Sequence, residues 1–172
     1  MAANNIHIFI TGGTIDSFYD ITKDTVTPHK ASVIPKYLSN LRLYNHKVTT
    51  TTICMKDSRS LTKADRKNLL EALEKTTAKH IIITHGTYTM PETARYIKTH
   101  LKRNDQVIIF TASMIPLDGF NMSDAPFNLG FALAKVEDLD PGVYACMNGY
   151  VFTPEEVLKN VEEGRFESIF TK

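Results

Sequence analysis

An apolar, β-branched run that stops at two glycines is the feature that most constrains this chain. Residues 7–15 read HIFITGGTI, so a buried strand is followed by a glycine pair and then by Thr14. Glycine tolerates positive φ and lets a ligand come close to the main chain. Open α/β sheets bind ligands at the carboxyl ends of their parallel strands. The pattern therefore predicts a first sheet strand with Thr11 and Thr14 at the ligand-binding edge.

Strand and helix patterns alternate along the rest of the chain. Further strands are predicted over residues 47–55, 80–84, 107–110 and 142–147, with a short one at 151–152. Helices are predicted over residues 33–43, 63–77, 91–101, 127–136 and, opened by Thr153 and Pro154, 153–163. Residues 25–32 are expected to be an exposed loop, and residues 164–172 a tail with freedom to move. This order predicts one domain with an open, mostly parallel, doubly wound α/β sheet in three layers.

Composition narrows the classes of function. A chain of 172 residues that is 42% hydrophobic, with a net charge of +1, suits one domain and offers no basic stripe for nucleic acid. No segment is long and apolar enough to span a bilayer, and the N-terminus lacks the basic region of a signal peptide. Cys54 and Cys146 fit reduced core positions better than a metal site, because neither has a thiol or histidine at ligand spacing. We therefore expect a cytoplasmic protein without metal or nucleic-acid partner.

Hydroxyl side chains follow four of the predicted strands. Each alone suits a turn or a helix cap. Because the ends of parallel strands share one edge of a sheet, we expect the whole set to converge on one pocket. The set is Thr11, Thr14, Ser58, Ser60, Thr87, Thr89, Thr111 and Ser113.

Several of these segments resemble motifs of the bacterial-type L-asparaginase family, which uses a threonine nucleophile. Residues 11–15, TGGTI, match its first motif, and residues 85–93, HGTYTMPET, resemble its second, HGTDTMEET. Residues 113–116 and 124–128 resemble its AMRP and DGPFN segments. The resemblance covers nearly the whole chain in the right order, which makes it specific.

The resemblance implies an amidohydrolase without a cofactor. Thr14 would attack the side-chain amide of L-asparagine, form an acyl-enzyme and release ammonia, with L-aspartate as the second product. Tyr19 would help to activate Thr14, while Thr87 and Lys159 would form the other half of the catalytic site. Activity on glutamine would be weaker or absent.

The resemblance also implies which residues hold the substrate, and here the sequence departs from the family. Tyr88 stands where the family has an aspartate that binds the substrate ammonium, and Arg59 replaces a glutamine. Asp16 and Asp57 are the nearest carboxylates in sequence that could bind the ammonium instead. Ser58 would bind the α-carboxylate. The substrate-binding set is Asp57, Ser58, Arg59, Tyr88 and Ser113.

The chain is expected to be a short, single-domain member over residues 1–172, because it ends where the family's C-terminal domain would begin. That domain contributes to a neighbour's site, so we expect a homo-oligomer, a dimer or a tetramer. Two alternatives remain open at this point. One is an amidase for another small amide without an α-ammonium, which Tyr88 would suit. The other is a module that binds a small amino acid without catalysis.

Overall fold

The computed structural model describes residues 4–44 and 46–170. The strands in chain order are β1 (Asn4–Gly12), β2 (Ser17–Asp20), β3 (Thr25–Pro28), β4 (His46–Lys56), β5 (His80–Thr84), β6 (Val107–Thr111), β7 (Gly142–Met147), β8 (Tyr150–Phe152), β9 (Val157–Asn160) and β10 (Arg165–Ser168). The α-helices are α1 (Ile34–Leu41), α2 (Lys63–Lys75), α3 (Met90–His100) and α4 (Ala125–Lys135). None of these helices combines the length and the hydropathy needed to cross a bilayer, and the search covers the described ranges only.

Six strands form the central sheet, in the order β4-β1-β5-β6-β7-β8. Neighbours from β4 to β7 pair in parallel, and β8 returns antiparallel to β7 through a tight turn. The predicted open, mostly parallel sheet is confirmed.

The apolar runs of the strands place helices on both faces of the sheet. Ile81 and Ile83 of β5 pack in a core with Ile97 of α3, while Ile82 between them packs on the opposite face with Leu129 of α4. Because successive side chains of a strand point to opposite faces, a continuous apolar run needs cover on both sides. The three-layer arrangement follows from this requirement.

Residues that cap or begin helices lie where the sequence predicts them. Thr62 begins α2 with a capping box, in which its Oγ1 accepts from the Asp65 amide at 3.2 Å and its own amide donates to Asp65 Oδ2 at 2.8 Å. Ser32 Oγ accepts from the Ile34 amide at 3.1 Å at the start of α1. Pro91 lies in the first turn of α3, where its missing N–H is not needed.

The sheet order places a topological switch point beside β1. Strand β1 lies between β4 and β5, and the chain passes from β1 to β4 on one side before it returns to β5 on the other. In open α/β sheets, ligands bind at such a switch point, in the crevice outside the carboxyl ends of the strands. The loops that follow Gly12 and Thr84 border this crevice.

The exposed loop predicted over residues 25–32 is wrong in its first half. Residues 25–28 form β3, which pairs antiparallel with β2, so that Phe18 faces Thr27 and Tyr19 faces Val26. Alternating β-branched and aromatic residues on either side of a short turn favour a hairpin. The threonines of β3 are polar, and this is why the sequence favours a loop over a strand at these positions.

The final helix predicted over residues 153–163 is also wrong. Only one turn forms after Thr153, whose amide donates to Glu156 Oε1 at 2.7 Å, and the chain then becomes β9. Strand β9 pairs antiparallel with β10, inside the segment expected as a tail. Burial of Val157 and Phe166 in the core outweighs the local helix signal, and residues 171–172 lie outside the described ranges.

Candidate active site

The loops that follow β1, β4 and β5 touch at the level of their backbones. A Cβ on Gly13 would lie 2.4 Å from both Cα and N of Gly86. A Cβ on Gly86 would lie 2.6 Å from Cβ and 2.7 Å from Oγ of Ser58. Only glycines permit this approach, which brings the Thr14 turn against the segment that carries Thr87.

The Gly13 backbone fixes the turn that presents Thr14. Its φ of 82° and ψ of −177° lie in a region open essentially to glycine alone. The Gly13 amide donates to the Lys56 carbonyl at 2.8 Å, and its carbonyl accepts from Ser17 Oγ at 2.7 Å. Thr14 then opens a short 3-10 helix and stays half-buried at the edge of the crevice.

Lys159 reaches the same edge from β9. Its Nζ donates to Thr87 Oγ1 at 2.7 Å and lies 3.7 Å from the centre of the Tyr88 ring. Burial of the ammonium, and next the positive charge of Arg59, lower the pKa of Lys159, while Asp57 opposes the shift. A lysine with a lowered pKa has a larger neutral fraction and can take a proton from a hydroxyl that it touches.

Three of the predicted binding residues, Asp57, Ser58 and Arg59, form further hydrogen bonds beside Thr87 and Lys159. Buried Ser58 accepts from the Thr89 amide at its Oγ (3.4 Å) and from Thr89 Oγ1 at its carbonyl (2.8 Å). Asp57 accepts from Arg59 Nε at 3.0 Å and Nη2 at 2.9 Å, and this hydrogen bonding holds the pKa of Asp57 below its usual value. The Arg59 guanidinium also lies 4.8 Å from the centre of the Tyr88 ring.

Two predicted site residues are engaged elsewhere. Tyr19 lies on the β2–β3 hairpin, and its hydroxyl donates to the Asp24 carboxylate, which raises the pKa of Tyr19. Ser113 Oγ donates to the Ile115 carbonyl at 2.6 Å within the loop after β6. Within the described ranges, no hydrogen bond links either hydroxyl to Thr14, Thr87 or Lys159.

Asp16 does not supply a solvent-accessible carboxylate. It is fully buried, and its Oδ1 accepts from the Val33 amide at 2.8 Å at the start of α1. Burial raises the pKa of Asp16. Asp16 therefore joins the first turn to α1 and is not placed to bind a substrate ammonium.

Lys159 is held in position by a series of hydrogen bonds through Asn128 and Asn148, which the sequence alone does not connect with the site. Asn128 of α4 donates to Asp124 Oδ2 at 3.0 Å and accepts from the Asn148 amide at 3.1 Å. Asn148 Oδ1 accepts from the Phe166 amide at 2.9 Å, and Phe166 is the residue of β10 that pairs with Lys159. The DAPFN segment thus holds the hairpin that carries the lysine. Of the polar side chains in this series only Asn128 is buried, and Asn148 is exposed, so the sequence carries no clear signal for such a role.

His85 is a structural residue beneath the site. It is fully buried, its Nδ1–H donates to the Gly86 carbonyl at 2.8 Å, and its Nε2 has no partner among the residues that the structure describes. Burial lowers the pKa of His85 from 6.5 to about 4. The imidazole is therefore neutral at physiological pH, and its burial excludes it as an accessible base.

This burial predicts acid sensitivity. Between pH 6.5 and about 4 the unfolded chain binds the His85 proton and the folded protein does not. His85 should therefore lower the free energy of unfolding by about 3 kcal/mol as the pH falls through that window. His85→Asn keeps an amide donor for Gly86 and removes the titration, so urea unfolding between pH 7.5 and 4.5 should show a shallower fall than the wild type. Parallel curves would contradict this assignment.

In the part of the chain that the structure describes, neither cysteine forms a hydrogen bond with Thr14, Thr87 or Lys159, and Cys54 Sγ donates to the Thr11 carbonyl at 3.5 Å. Both are free, with Cys54 half-buried in β4 and Cys146 buried in β7. Burial raises the pKa of Cys54 to about 11 and that of Cys146 to about 12. In residues 4–44 and 46–170, no group of three or more histidine, cysteine, aspartate or glutamate residues is arranged to hold a metal ion.

Known proteins are similar to this chain in sequence and in fold. A family model described as Asparaginase, N-terminal matches residues 5–168. L-asparaginase 2 of Escherichia coli (strain K12) is 31% identical, over 92% of this chain and 47% of that protein. Glutaminase-asparaginase of Acinetobacter glutaminasificans is 28% identical, over 92% of this chain and 50% of that protein. The structure of the thermostable L-asparaginase from Thermococcus kodakarensis matches with a TM-score of 0.82 at 27% identity, over 98% of this chain and 52% of that chain. The chain spans about half the length of the curated relatives it matches.

Proposed function

This chain belongs to the asparaginase family through an N-terminal-type domain, and on that premise we propose that it hydrolyses a small carboxamide through a threonine acyl-enzyme. The observation that carries the proposal is the 2.7 Å hydrogen bond between Lys159 and Thr87, formed beside the turn of Thr14. A hydroxyl is a weak nucleophile or proton relay until a base lies next to it. Here a lysine with a lowered pKa supplies the base.

In the first step, Thr14 Oγ1 attacks the carbonyl carbon of the amide. The C–N bond breaks, ammonia leaves with the proton of the Thr14 hydroxyl, and an ester joins Thr14 to the acyl group. Tyr19 relays that proton once the β2–β3 hairpin turns its hydroxyl from Asp24 toward Thr14. Backbone N–H groups around Thr87 stabilise the oxyanion.

In the second step, water hydrolyses the ester. Neutral Lys159, acting through Thr87 Oγ1, takes a proton from the attacking water. As the ester C–O bond breaks, Thr14 Oγ1 takes the proton that Lys159 accepted, and the product acid releases its remaining proton to solvent and leaves as a carboxylate. The lowered pKa of Lys159 keeps part of the lysine neutral, so the rate should rise with pH until this titration is complete.

L-asparagine is the first substrate to assay, with L-aspartate and ammonia as products and weaker or no activity on glutamine. The names of the relatives, L-asparaginase 2 and glutaminase-asparaginase, support this choice. We further propose that the protein works in the cytoplasm as a homo-oligomer. The two free cysteines support a reducing compartment.

Ammonia release from purified protein tests the proposal. We expect hydrolysis of at least one short carboxamide by the wild type and a loss of at least about 10³-fold in Thr14→Ala, because the nucleophile is absent. Thr14→Ser keeps a hydroxyl and should retain measurable activity. Equal rates for wild type and Thr14→Ala would contradict the proposal.

A further inference from the structure

While Lys159 is protonated, the centre of the site carries an excess of positive charge. Lys159 and Arg59 both lie over the Tyr88 ring, at 3.7 and 4.8 Å from its centre. Asp57 neutralises Arg59 through its paired hydrogen bonds. Within the described residues, no carboxylate lies within 4.0 Å of Lys159 Nζ, whose hydrogen bond goes to the uncharged Thr87 hydroxyl.

The other carboxylates that line the same pocket as Tyr88 are already paired. Glu92 of α3 accepts from Arg66 Nη2 at 3.1 Å, and Glu155, before β9, accepts from Lys98 Nζ at 2.8 Å. With Asp57 held by Arg59, each of these three anions has its own cation. A substrate ammonium would therefore meet Lys159 without an unpaired carboxylate to offset the repulsion.

The Tyr88 ring does not replace the missing anion. An aromatic face attracts a cation that lies within about 6 Å of its centre. Both cations of the site already occupy that range, so an incoming ammonium would compete with Lys159 and Arg59 for the same ring. A carboxylate, in contrast, would be attracted by both side chains.

We propose that the substrates are monoamides of short dicarboxylic acids without an α-amino group, with Tyr88 as the residue that sets this preference. The proposal rests on the proposed function and names the substrate class of the same site. Tyr88 disfavours an ammonium in two ways: its ring is already covered by cations, and it adds no negative charge near Lys159 beyond that of Asp57, which is bonded to Arg59. Rejection of the wrong ligand by like charge is an effective source of specificity.

Product binding and turnover test this preference separately. Calorimetric titration of the wild type with succinate and with L-aspartate should show at least tenfold tighter binding of succinate. The ratio of kcat/KM should favour succinamate over L-asparagine by at least tenfold. Tyr88→Asp supplies the carboxylate and should reverse both preferences, while Tyr88→Phe keeps the ring and should keep the preference for succinate. Tyr88 is half exposed, so these variants should fold, which circular dichroism checks.

The outcomes separate this inference from the proposed function. Tighter binding of L-aspartate by the wild type, equal binding of the two acids, or no binding of either overturns the inference. Release of ammonia from L-asparagine in preference to succinamate also overturns it and leaves the hydrolase proposal standing. If no short carboxamide is hydrolysed, these two amides included, the hydrolase proposal fails, and the two binding constants still decide the charge preference.

Discussion

Lys159→Met is expected to lower kcat/KM for amide hydrolysis about 10³-fold, the scale of a lost general base. Methionine keeps much of the apolar stem of the half-buried side chain, so the free energy of unfolding should change by less than about 1 kcal/mol. What disappears is the base that touches Thr87 Oγ1 at 2.7 Å. Ammonia release and urea unfolding of the same preparation measure the two effects.

Two matched variants show whether the loss is chemical. Lys159→Arg keeps the charge but cannot lose its proton, so it should be as inactive as the methionine variant. Lys75→Met removes an exposed lysine at the end of α2 that pairs with Glu71, and it should retain wild-type activity. Wild-type activity in either Lys159 variant would remove the lysine from the catalytic step.

Gly13→Ala is expected to cost about 3 kcal/mol or more of stability, together with most of the activity. An alanine would hold a Cβ 2.4 Å from Gly86 Cα and N, and backbone cannot give way as a side-chain tip can. Its φ of +82° would add strain. The loops that carry Thr14 and Thr87 would have to separate, which removes the site even in molecules that stay folded.

Gly119→Ala is the matched control for the collision. Gly119 has a φ of +80° but no atom within 4 Å of an added Cβ, so its replacement should cost only about 1–2 kcal/mol. The difference between the two variants in urea unfolding measures the contact between Gly13 and Gly86. Equal losses, with full activity in Gly13→Ala, would show that the strand ends do not need this contact.

The central strands could be predicted because their burial leaves a strong pattern. The expected bounds of β5 and β7 agree with the structure, and Thr62 and Pro91 mark the starts of two helices. A run of β-branched residues buried on both faces has few alternatives in a chain of this size. The same reasoning places the glycine turn after β1 at the edge of the crevice.

The β2–β3 and β9–β10 hairpins could not be predicted in this way. Strand β9 begins after a turn with helix-like capping, and only the burial of Val157 and Phe166 decides that the chain continues as a strand. Strand β3 consists of polar threonines and a proline around one valine. In both cases tertiary packing outweighs a local preference.

The hydrogen-bonded pair of Thr87 and Lys159 illustrates the same division between local and distant information. The resemblance to the asparaginase family implies that Thr87 and Lys159 share one site. The local sequence pattern predicts a helix around Lys159, whereas the structure has the residue in β9. Their hydrogen bond joins residues 72 positions apart, and no local rule predicts such a contact. The role of Tyr19 stays a prediction, because its hydroxyl is bonded to Asp24 in this conformation.

The most direct test of the account is the location of the acyl group during turnover. Acid quenching of the first turnovers on succinamate or L-asparagine, followed by peptide mass spectrometry, should find the acyl adduct on the peptide that carries Thr14. Thr14→Ala should form no adduct. An adduct on the peptide that carries Thr87, with Thr14 unmodified, would contradict the account.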